Sequence, residues 1–289
     1  MKTYLDCAPC FVRQALDSVR IVTKDEAIQE QVLREVLRTV GDMDLRMSPP
    51  EMGQQIHRLI RKLTGVEDPY QGAKEKFNRL MLEIYAELRH LVEKSRNRLE
   101  MAIRLAIAGN VIDLGVKSDL EQRGICESFE LALKAPLGGD VEEFAREVSR
   151  AKSILYLADN AGEIVCDRLL IEELPLEKVT VVVRGYPIIN DATMKDAEET
   201  GLPDLVRVIP NGSDAPGTVL SDCSASFRRY FNEADLVIAK GQGNYETLSE
   251  VDKNIFFLLK AKCSVIARDL GCPIGSSVLE KQSRDVVSV

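Results

Sequence analysis

The spacing of hydrophobic residues changes near residue 152, and this change divides the chain into two regions. In the first region, apolar residues recur every three to four positions, as they do on one face of a helix. The segment 25–40 is an example, because Ile28, Val32, Val36 and Val40 are spaced four apart. The pattern therefore predicts an almost entirely helical first region.

Prolines, glycines and capping residues indicate where these helices begin and end. Ser48 is followed by Pro49, Pro50 and Glu51, which is a typical helix start, and Gly65 ends the helix that it opens. We predict helices over residues 9–22, 25–40, 49–63, 69–94, 98–111, 120–133 and 141–151.

From residue 152 onward, short apolar runs alternate with helical patterns. We predict strands over 154–158, 179–184, 206–209, 236–239 and 264–267. We predict helices over 161–173, 193–200, 219–233, 244–260 and 275–282. Alternation of strands and helices implies βαβ units and a parallel sheet, so we expect an α/β half on which the helical half packs as a cap.

Composition and charge exclude several classes of protein. The 289 residues are 45% hydrophobic and carry a formal net charge of −8, which argues against a general nucleic-acid or membrane-surface binder. No apolar run reaches the roughly 18 residues of a membrane span. The first residues include charges and cysteines where a signal peptide needs an apolar segment, so we expect a cytoplasmic protein.

Polar side chains follow two of the predicted strands. Asp159 and Asn160 come directly after the first strand, and Asp191 comes after the second. Each could cap a helix or a turn. Ligands of parallel sheets nevertheless gather where strands end. Oxygen side chains suit Mg²⁺ or Mn²⁺, so the three together predict a metal site for phosphate chemistry.

A glycine-containing segment follows the strand over 236–239. It begins with Lys240 and continues through Gly241 and Gly243 to Asn244. Glycines allow a close backbone approach, and helix N-terminal amides and a lysine favour an anion. The segment has neither the Walker spacing nor the dinucleotide-binding fingerprint. It could be a plain turn, and so could the loop over 211–218, which could also line the same cleft.

Two polar residues interrupt the apolar helix over 98–111 and the residues after it. Asn110 and Asp113 need partners if this helix is buried. They are either satisfied locally or face the cleft. His57 and His90 lie among charged helical residues, so we expect both at the surface and no histidine base.

The spacing of Cys7 and Cys10 is compatible with three roles. A structural zinc ion needs two further ligands, and a redox pair uses the same spacing at a helix start. Two buried thiols are the third reading. The seven cysteines are otherwise scattered, which is unlike a secreted disulfide framework.

Four segments together resemble the damage-control phosphatase family. They are DNAGE from 159, PIINDAT from 187, KGQGNYE from 240 and AIAGNVIDLG from 106, and the resemblance covers nearly the whole chain. Cys7 and Cys10 resemble the mark of its first subfamily, from archaea and some bacteria. The resemblance implies an all-helical domain over 1–151. It also implies a Rossmann-like α/β domain over 152–289, with a mostly parallel sheet and helices on both faces.

The resemblance also implies a set of site residues. A divalent metal ion, Mn²⁺, Mg²⁺, Co²⁺ or Ni²⁺, would be bound by Asp159, Asn160 and Asp191. Lys240 and Asn244 would contact substrate, and Lys260 would lie at the phosphate. The eukaryotic branch has Arg-Thr-x-Lys where this chain has FLLK over 257–260, and Gln242 replaces an acidic residue. The sugar-phosphate preference of that branch is therefore not carried over.

These observations predict a metal-dependent phosphatase that hydrolyses phosphate monoesters of small metabolites. The resemblance suggests damaged or surplus nucleotides or related phosphometabolites. Asp159 would be nucleophile or base, with Glu163 as a possible substitute base, and Asn110 and Glu163 would also face substrate. Lys240 and Lys260 would neutralise charge on the phosphoryl oxygens.

Two other classes compete with this interpretation. One is a non-catalytic metal- or nucleotide-binding protein that uses Cys7 and Cys10 for redox sensing or for zinc. The other is a methyltransferase, which usually has a glycine-rich loop after its first strand. This chain has DNAGE there, so the methyltransferase class is disfavoured.

Overall fold

A computed structural model of the chain describes residues 1–111, 129 and 132–282. The helix predicted over 120–133 lies mostly outside these residues, and Asp113 lies outside them. The described part begins with five helices: α1 (Ala8–Val22), α2 (Glu26–Gly41), α3 (Pro49–Thr64), α4 (Gln71–Lys94) and α5 (Arg98–Ala108). The helical first region is thereby confirmed where it is described.

Local chemistry explains where these helices begin and end. At the start of α3, Ser48 and Glu51 form the predicted capping box, and the Ser48 amide donates to Glu51 Oε2 at 2.7 Å. Gly65 ends this helix in the left-handed conformation, with a φ of 70°. Helices α1, α2 and α3 pack around a small core that includes the predicted Val32 and Val36. No helix of the described ranges is long and apolar enough to cross a membrane.

The described residues form one sheet of seven strands, six of them from the second region, with helices on both faces. The strands are β1 (Leu137–Gly138), β2 (Ile154–Leu157), β3 (Val179–Val183), β4 (Arg207–Pro210), β5 (Leu236–Lys240), β6 (Ile255–Lys260) and β7 (Ser277–Lys281). The helices are α6 (Val141–Arg150), α7 (Glu163–Ile171), α8 (Met194–Glu199), α9 (Ala225–Glu233), α10 (Gly241–Leu248) and α11 (Ser264–Asp269).

The order of the strands identifies where a ligand site is expected. The order is β1-β7-β6-β5-β2-β3-β4, and every neighbouring pair is parallel except β6 with β7. From β2 the chain proceeds to β3 and β4 on one side and then crosses to β5 on the other. Such a reversal opens a crevice at the carboxyl ends of the two central strands. The mostly parallel α/β sheet is thereby confirmed.

Three predicted elements near the C-terminus are wrong. Residues 264–267, predicted as a strand, begin α11, and residues 275–282, predicted as a helix, contain β7. The helix predicted over 244–260 ends at Leu248 and is followed by β6. The five apolar residues of β6 are buried on both faces of the sheet, so the alternation that reveals a strand is absent. Lys260 therefore ends a strand and does not lie late in a helix.

The two regions share one hydrophobic core. Alternate residues of the central strands, among them Tyr156, Val181 and Ile238, pack with α4, α5 and α7 on one face of the sheet. On the other face, Phe227 of α9 belongs to a second core. The short strand β1, from the first region, also pairs with β7. The division at residues 151 and 152 stays a prediction.

Candidate active site

Backbone hydrogen bonds join the loops that follow β2 and β3. The Ala161 amide donates to the Asn190 carbonyl at 2.9 Å, and the Ala192 amide donates to the Asp159 carbonyl at 2.8 Å. Between them, Asn160 and Asp191 form an isolated antiparallel bridge. The three residues predicted to bind metal therefore lie side by side at the carboxyl ends of the two strands.

Amide side chains connect the carboxylates of this site. Asn110 donates to Asp159 Oδ2 at 2.8 Å and to Glu163 Oε1 at 3.2 Å. Asn160 donates to Asp159 Oδ2 at 2.8 Å and to Glu163 Oε2 at 2.9 Å. Asn110 and Glu163 thus lie at the site, where the sequence predicted them, and both hold its polar network together.

Burial and mutual repulsion disfavour the ionised form of the carboxylates at this site. Burial, followed by repulsion from Glu163 and Asp191, raises the pKa of Asp159 to about 7. Burial also raises the pKa of Asp191, although the Arg184 guanidinium opposes this shift. Repulsion of this kind is relieved by a bound cation.

The donor set fits a hard divalent cation. Within the described ranges, no hydrogen bond ends on Oδ1 of Asn160 or on Oδ1 of Asp191, and Oδ1 of Asp159 lies 3.6 Å from Arg184 Nη2. Three neighbouring residues therefore each offer one oxygen, which is the donor type that Mg²⁺ and Mn²⁺ prefer. The same ranges contain no cluster of three His, Cys, Asp or Glu side chains arranged for a metal ion, so a metal site at this position would need the Asn160 amide oxygen.

Arg184, at the end of β3, is a site residue that the sequence reasoning missed. Its Nε donates to Asp191 Oδ2 at 2.7 Å, and its Nη1 donates to Asn244 Oδ1 at 3.3 Å. The side chain is only 1% exposed. The available signal was an arginine directly after three consecutive valines of a strand, where a buried charge requires a partner.

Lys240 lies behind the carboxylates and has no solvent contact. Its ammonium donates to Glu163 Oε1 and Asp167 Oδ1, both at 2.6 Å, and to the Ala106 carbonyl at 2.8 Å. Burial would lower the pKa of Lys240, but the two carboxylates raise it. Asp167, which the sequence reasoning also missed, further accepts from Tyr156 at 2.8 Å. Lys240 was predicted to contact substrate, but in this structure its ammonium binds Glu163 and Asp167.

Asn244 is also a supporting residue in this structure. Its Oδ1 accepts from Thr218 Oγ1 at 2.8 Å and from Arg184, and its Nδ2 donates to the Lys240 carbonyl at 2.8 Å. Its side chain is fully buried. The predicted substrate contact of Asn244 is therefore replaced here by contacts with the protein.

Gly241 allows the backbone after β5 to pass close to the Asp159 carboxylate. Its φ is +79°, and a Cβ at this position would lie 1.9 Å from Asp159 Oδ2. The sequence predicted that glycine here allows a close backbone approach. The group approached is the Asp159 carboxylate.

Two lysines lie at and just beyond the end of β6. Lys260 is half-buried, and in the described part of the chain its side chain has no hydrogen bond or ion pair, although its backbone pairs with Ser277 of β7. Burial, followed by repulsion from Lys262, lowers its pKa. The charge of Lys262, a residue that the sequence reasoning missed, acts to lower the pKa of Asp159. The end of β6 therefore supplies positive charge near the carboxylates.

Helix α3 forms one wall beside the loops. Gln54 donates to Asp214 Oδ1 at 2.6 Å, and Arg61 pairs with Asp214 and donates to the Pro187 carbonyl at 3.1 Å. The predicted surface position of His57 is wrong, because this side of α3 faces the loops and His57 is only 4% exposed. Burial, followed by the charge of Arg61, lowers the pKa of His57 to about 4. His90 is exposed, as predicted.

A cavity of about 420 Å³ lies beside these loops and contains the N-terminal cysteine pair in its wall. Cys7 and Cys10 face it together with Cys263, Ile189 and Gln242. Burial raises the pKa of Cys7. Cys10 is exposed. The structure therefore assigns the cysteine pair a position near the site, and its predicted metal or redox role stays a prediction.

Comparisons with known proteins point to one family. The model of the damage-control phosphatase ARMT1-like domain matches residues 3–278. A damage-control phosphatase of Pyrococcus horikoshii is 38% identical over 96% of this chain and 97% of its own length. One of Archaeoglobus fulgidus is 34% identical over 94% of this chain and 96% of its own. The crystal structure of a DUF89 family protein from Pyrococcus horikoshii superimposes with a TM-score of 0.90 at 36% identity, over 98% of this chain and 100% of that one.

Proposed function

The chain belongs to the ARMT1-like damage-control phosphatase family, and on this basis we propose that it hydrolyses phosphate monoesters of small metabolites with a bound divalent metal ion. The observation that carries the proposal is the direct pairing of the loops after β2 and β3. This pairing gathers the oxygens of Asp159, Asn160 and Asp191 at the crevice between central strands.

These three residues would hold the metal ion. When bound, such an ion acts as a Lewis acid on a phosphoryl oxygen. Hard oxygen ligands favour Mg²⁺, Mn²⁺, Co²⁺ or Ni²⁺ over a thiophilic ion. The raised pKa of Asp159 supports this assignment, because a cation would compensate the buried negative charge.

Asp159 is the reactive carboxylate of the proposal, as nucleophile or as base toward water. Two amides donate to its Oδ2, which fixes the orientation of the carboxylate. Glu163 is a weaker candidate for the base. Its Oε1 accepts from Lys240 and Asn110, and its Oε2 accepts from Asn160, so we assign it a positioning role. Lys260 would neutralise charge on the phosphoryl oxygens.

The cavity beside the loops would hold the leaving group of the substrate. Ile189, two residues before Asp191, and Gly243, in the first turn of α10, both line it. Of the described residues that line it, none is a lysine or an arginine, whereas Asp6 and Gln242 offer acceptors. A neutral leaving group with hydroxyl or amino donors, as in a nucleoside or a sugar, fits this wall better than a second phosphate.

Phosphate release provides the test. Chelator-stripped protein would be supplied separately with Mg²⁺, Mn²⁺, Co²⁺ and Ni²⁺ and offered an aryl phosphate, nucleoside monophosphates and sugar phosphates. We expect metal-dependent release that falls by orders of magnitude in Asp159→Asn and in Asp191→Ala. Asp235→Asn is a matched control, because Asp235 binds the amides of Lys152 and Ser153 at the opposite edge of the sheet.

Two outcomes would count against the proposal. Unchanged turnover in Asp191→Ala would remove Asp191 from the metal site. No release with any metal, from a folded protein that binds metal, would favour a non-catalytic binding protein.

A further inference from the structure

We propose that Arg184 binds a phosphoryl oxygen of the substrate through its Nη2, an inference that rests on the proposed phosphatase function. Nη2 is a buried donor without a hydrogen-bond acceptor among the described residues. The nearest carboxylate oxygen, Asp159 Oδ1, lies 3.6 Å away, beyond normal hydrogen-bond distance. Buried donors without an acceptor are rare because each costs free energy. A phosphoryl oxygen of a bound substrate would supply the acceptor that Nη2 lacks.

The rest of the guanidinium is fixed on two sides. Nε is bound to Asp191, and Nη1 is bound to Asn244, which Thr218 holds in turn. Nη2 therefore has one direction available, toward the reactive carboxylate. An arginine fixed in this way binds a phosphoryl oxygen with little loss of side-chain entropy.

Lys240 cannot provide this contact in the described structure. An ammonium group has three N–H donors, and those of Lys240 face Glu163, Asp167 and the Ala106 carbonyl. Arg184 retains donors at Nη2 while all three donors of Lys240 are used. The anion contact expected of Lys240 from the sequence is thus better assigned to Arg184.

Binding measurements can separate this role from that of a simple counter-ion. In Arg184→Lys the positive charge stays and the Nη2 donor is lost. Titration calorimetry would measure Mn²⁺ binding to stripped protein, and then inorganic phosphate binding to the Mn²⁺-loaded protein. We expect Mn²⁺ affinity within about threefold of wild type and phosphate affinity weaker by about tenfold to a hundredfold, as for the loss of one charge-assisted hydrogen bond.

Thr218→Val is the matched control, because it loosens Asn244 but keeps every Arg184 donor. We expect it to change phosphate affinity much less than Arg184→Lys does. Arg184→Gln, checked for folding by its melting temperature, should weaken phosphate binding at least as much as Arg184→Lys.

The proposal fails if Arg184→Lys binds phosphate as tightly as wild type. It also fails if both Arg184 variants fold but lose Mn²⁺, because Arg184 would then only hold the carboxylates in place. Failure of the phosphatase function looks different: wild type would release no phosphate from any ester, yet Arg184→Lys would still weaken phosphate binding.

Discussion

Lys240 and Glu163 form an ion pair with no solvent contact, in which Nζ lies 2.6 Å from Oε1 and both side chains are 0% exposed. Asp167 completes the arrangement at the same distance from Nζ. One lysine therefore supports two carboxylates beneath the candidate active site. The stability of the protein and the orientation of its site depend on the same buried charge.

Lys240→Met should destabilise the protein strongly. It leaves two buried carboxylates without their cation, and breaking a buried pair in this way costs about 3–5 kcal/mol. Urea denaturation would measure the loss in the free energy of unfolding. Lys195→Met is the control, since the ion pair of Lys195 with Glu75 is exposed and should contribute little. Equal unfolding midpoints for the two variants would contradict the buried ion pair.

Gly241→Ala should impair the site through one methyl group. The added Cβ would lie 1.9 Å from Asp159 Oδ2, so the carboxylate has to move. Misplacement by about 1 Å can lower a rate by about a hundredfold, which phosphate-release assays would detect. Gly271→Ala is a close control because Gly271 has a similar φ, +63°, and nothing within 4 Å of its Cβ position. If both variants lose activity equally, backbone strain and not the clash is responsible.

His57 should make the fold sensitive to acid. Its pKa is lowered to about 4 in the folded protein from 6.5, so the unfolded chain binds a proton first as the pH falls. The stability that neutral His57 contributes is present above pH 6.5 and is lost between about pH 6.5 and 4. The loss is on the order of 3 kcal/mol.

Melting temperatures between pH 7 and pH 4.5 test this expectation. His57→Gln should show a smaller fall over this range than wild type, whatever its stability at pH 7. His90→Gln, at an exposed position, should keep the wild-type slope. Parallel slopes for wild type and His57→Gln would show that His57 does not titrate in this way.

The two N-terminal cysteines should differ in reactivity. Cys10 is exposed, whereas burial raises the pKa of Cys7, and the thiolate is the reactive form. Mass spectrometry after brief alkylation at pH 8 should find Cys10 modified before Cys7. Faster modification of Cys7 would instead indicate an activated redox thiol.

The sequence predicted the position of the carboxylates correctly for a physical reason. Carboxyl ends of parallel strands share one edge of a sheet, so Asp159, Asn160 and Asp191 could be placed together from strand order alone. The direction of a lysine side chain at the end of a strand cannot be predicted from the order of the strands. Lys240 ends its strand toward Glu163 and Asp167, and this depends on packing between β5 and α7.

The parts that the sequence analysis missed depend on contacts between distant segments. The partners of Arg184 come from three places in the chain, namely Asp191, Asn244 and Asp159, and no motif joins them. The strand β6 was mistaken for a helix because a strand buried on both faces has no alternation. Its parallel neighbour β5 and antiparallel neighbour β7 determine its structure.

Gly162, one residue before α7, is covered by a helix from the other region of the chain. Its amide donates to Asn78 Oδ1 at 2.6 Å, and a Cβ on it would lie 1.9 Å from the Phe77 ring. The turn that follows Asp159 and Asn160 is therefore shaped by residues about eighty positions earlier. Substitutions in α4 and in this turn should therefore covary among relatives. A chimera that takes the two regions from different relatives needs compatible residues on both sides of this contact.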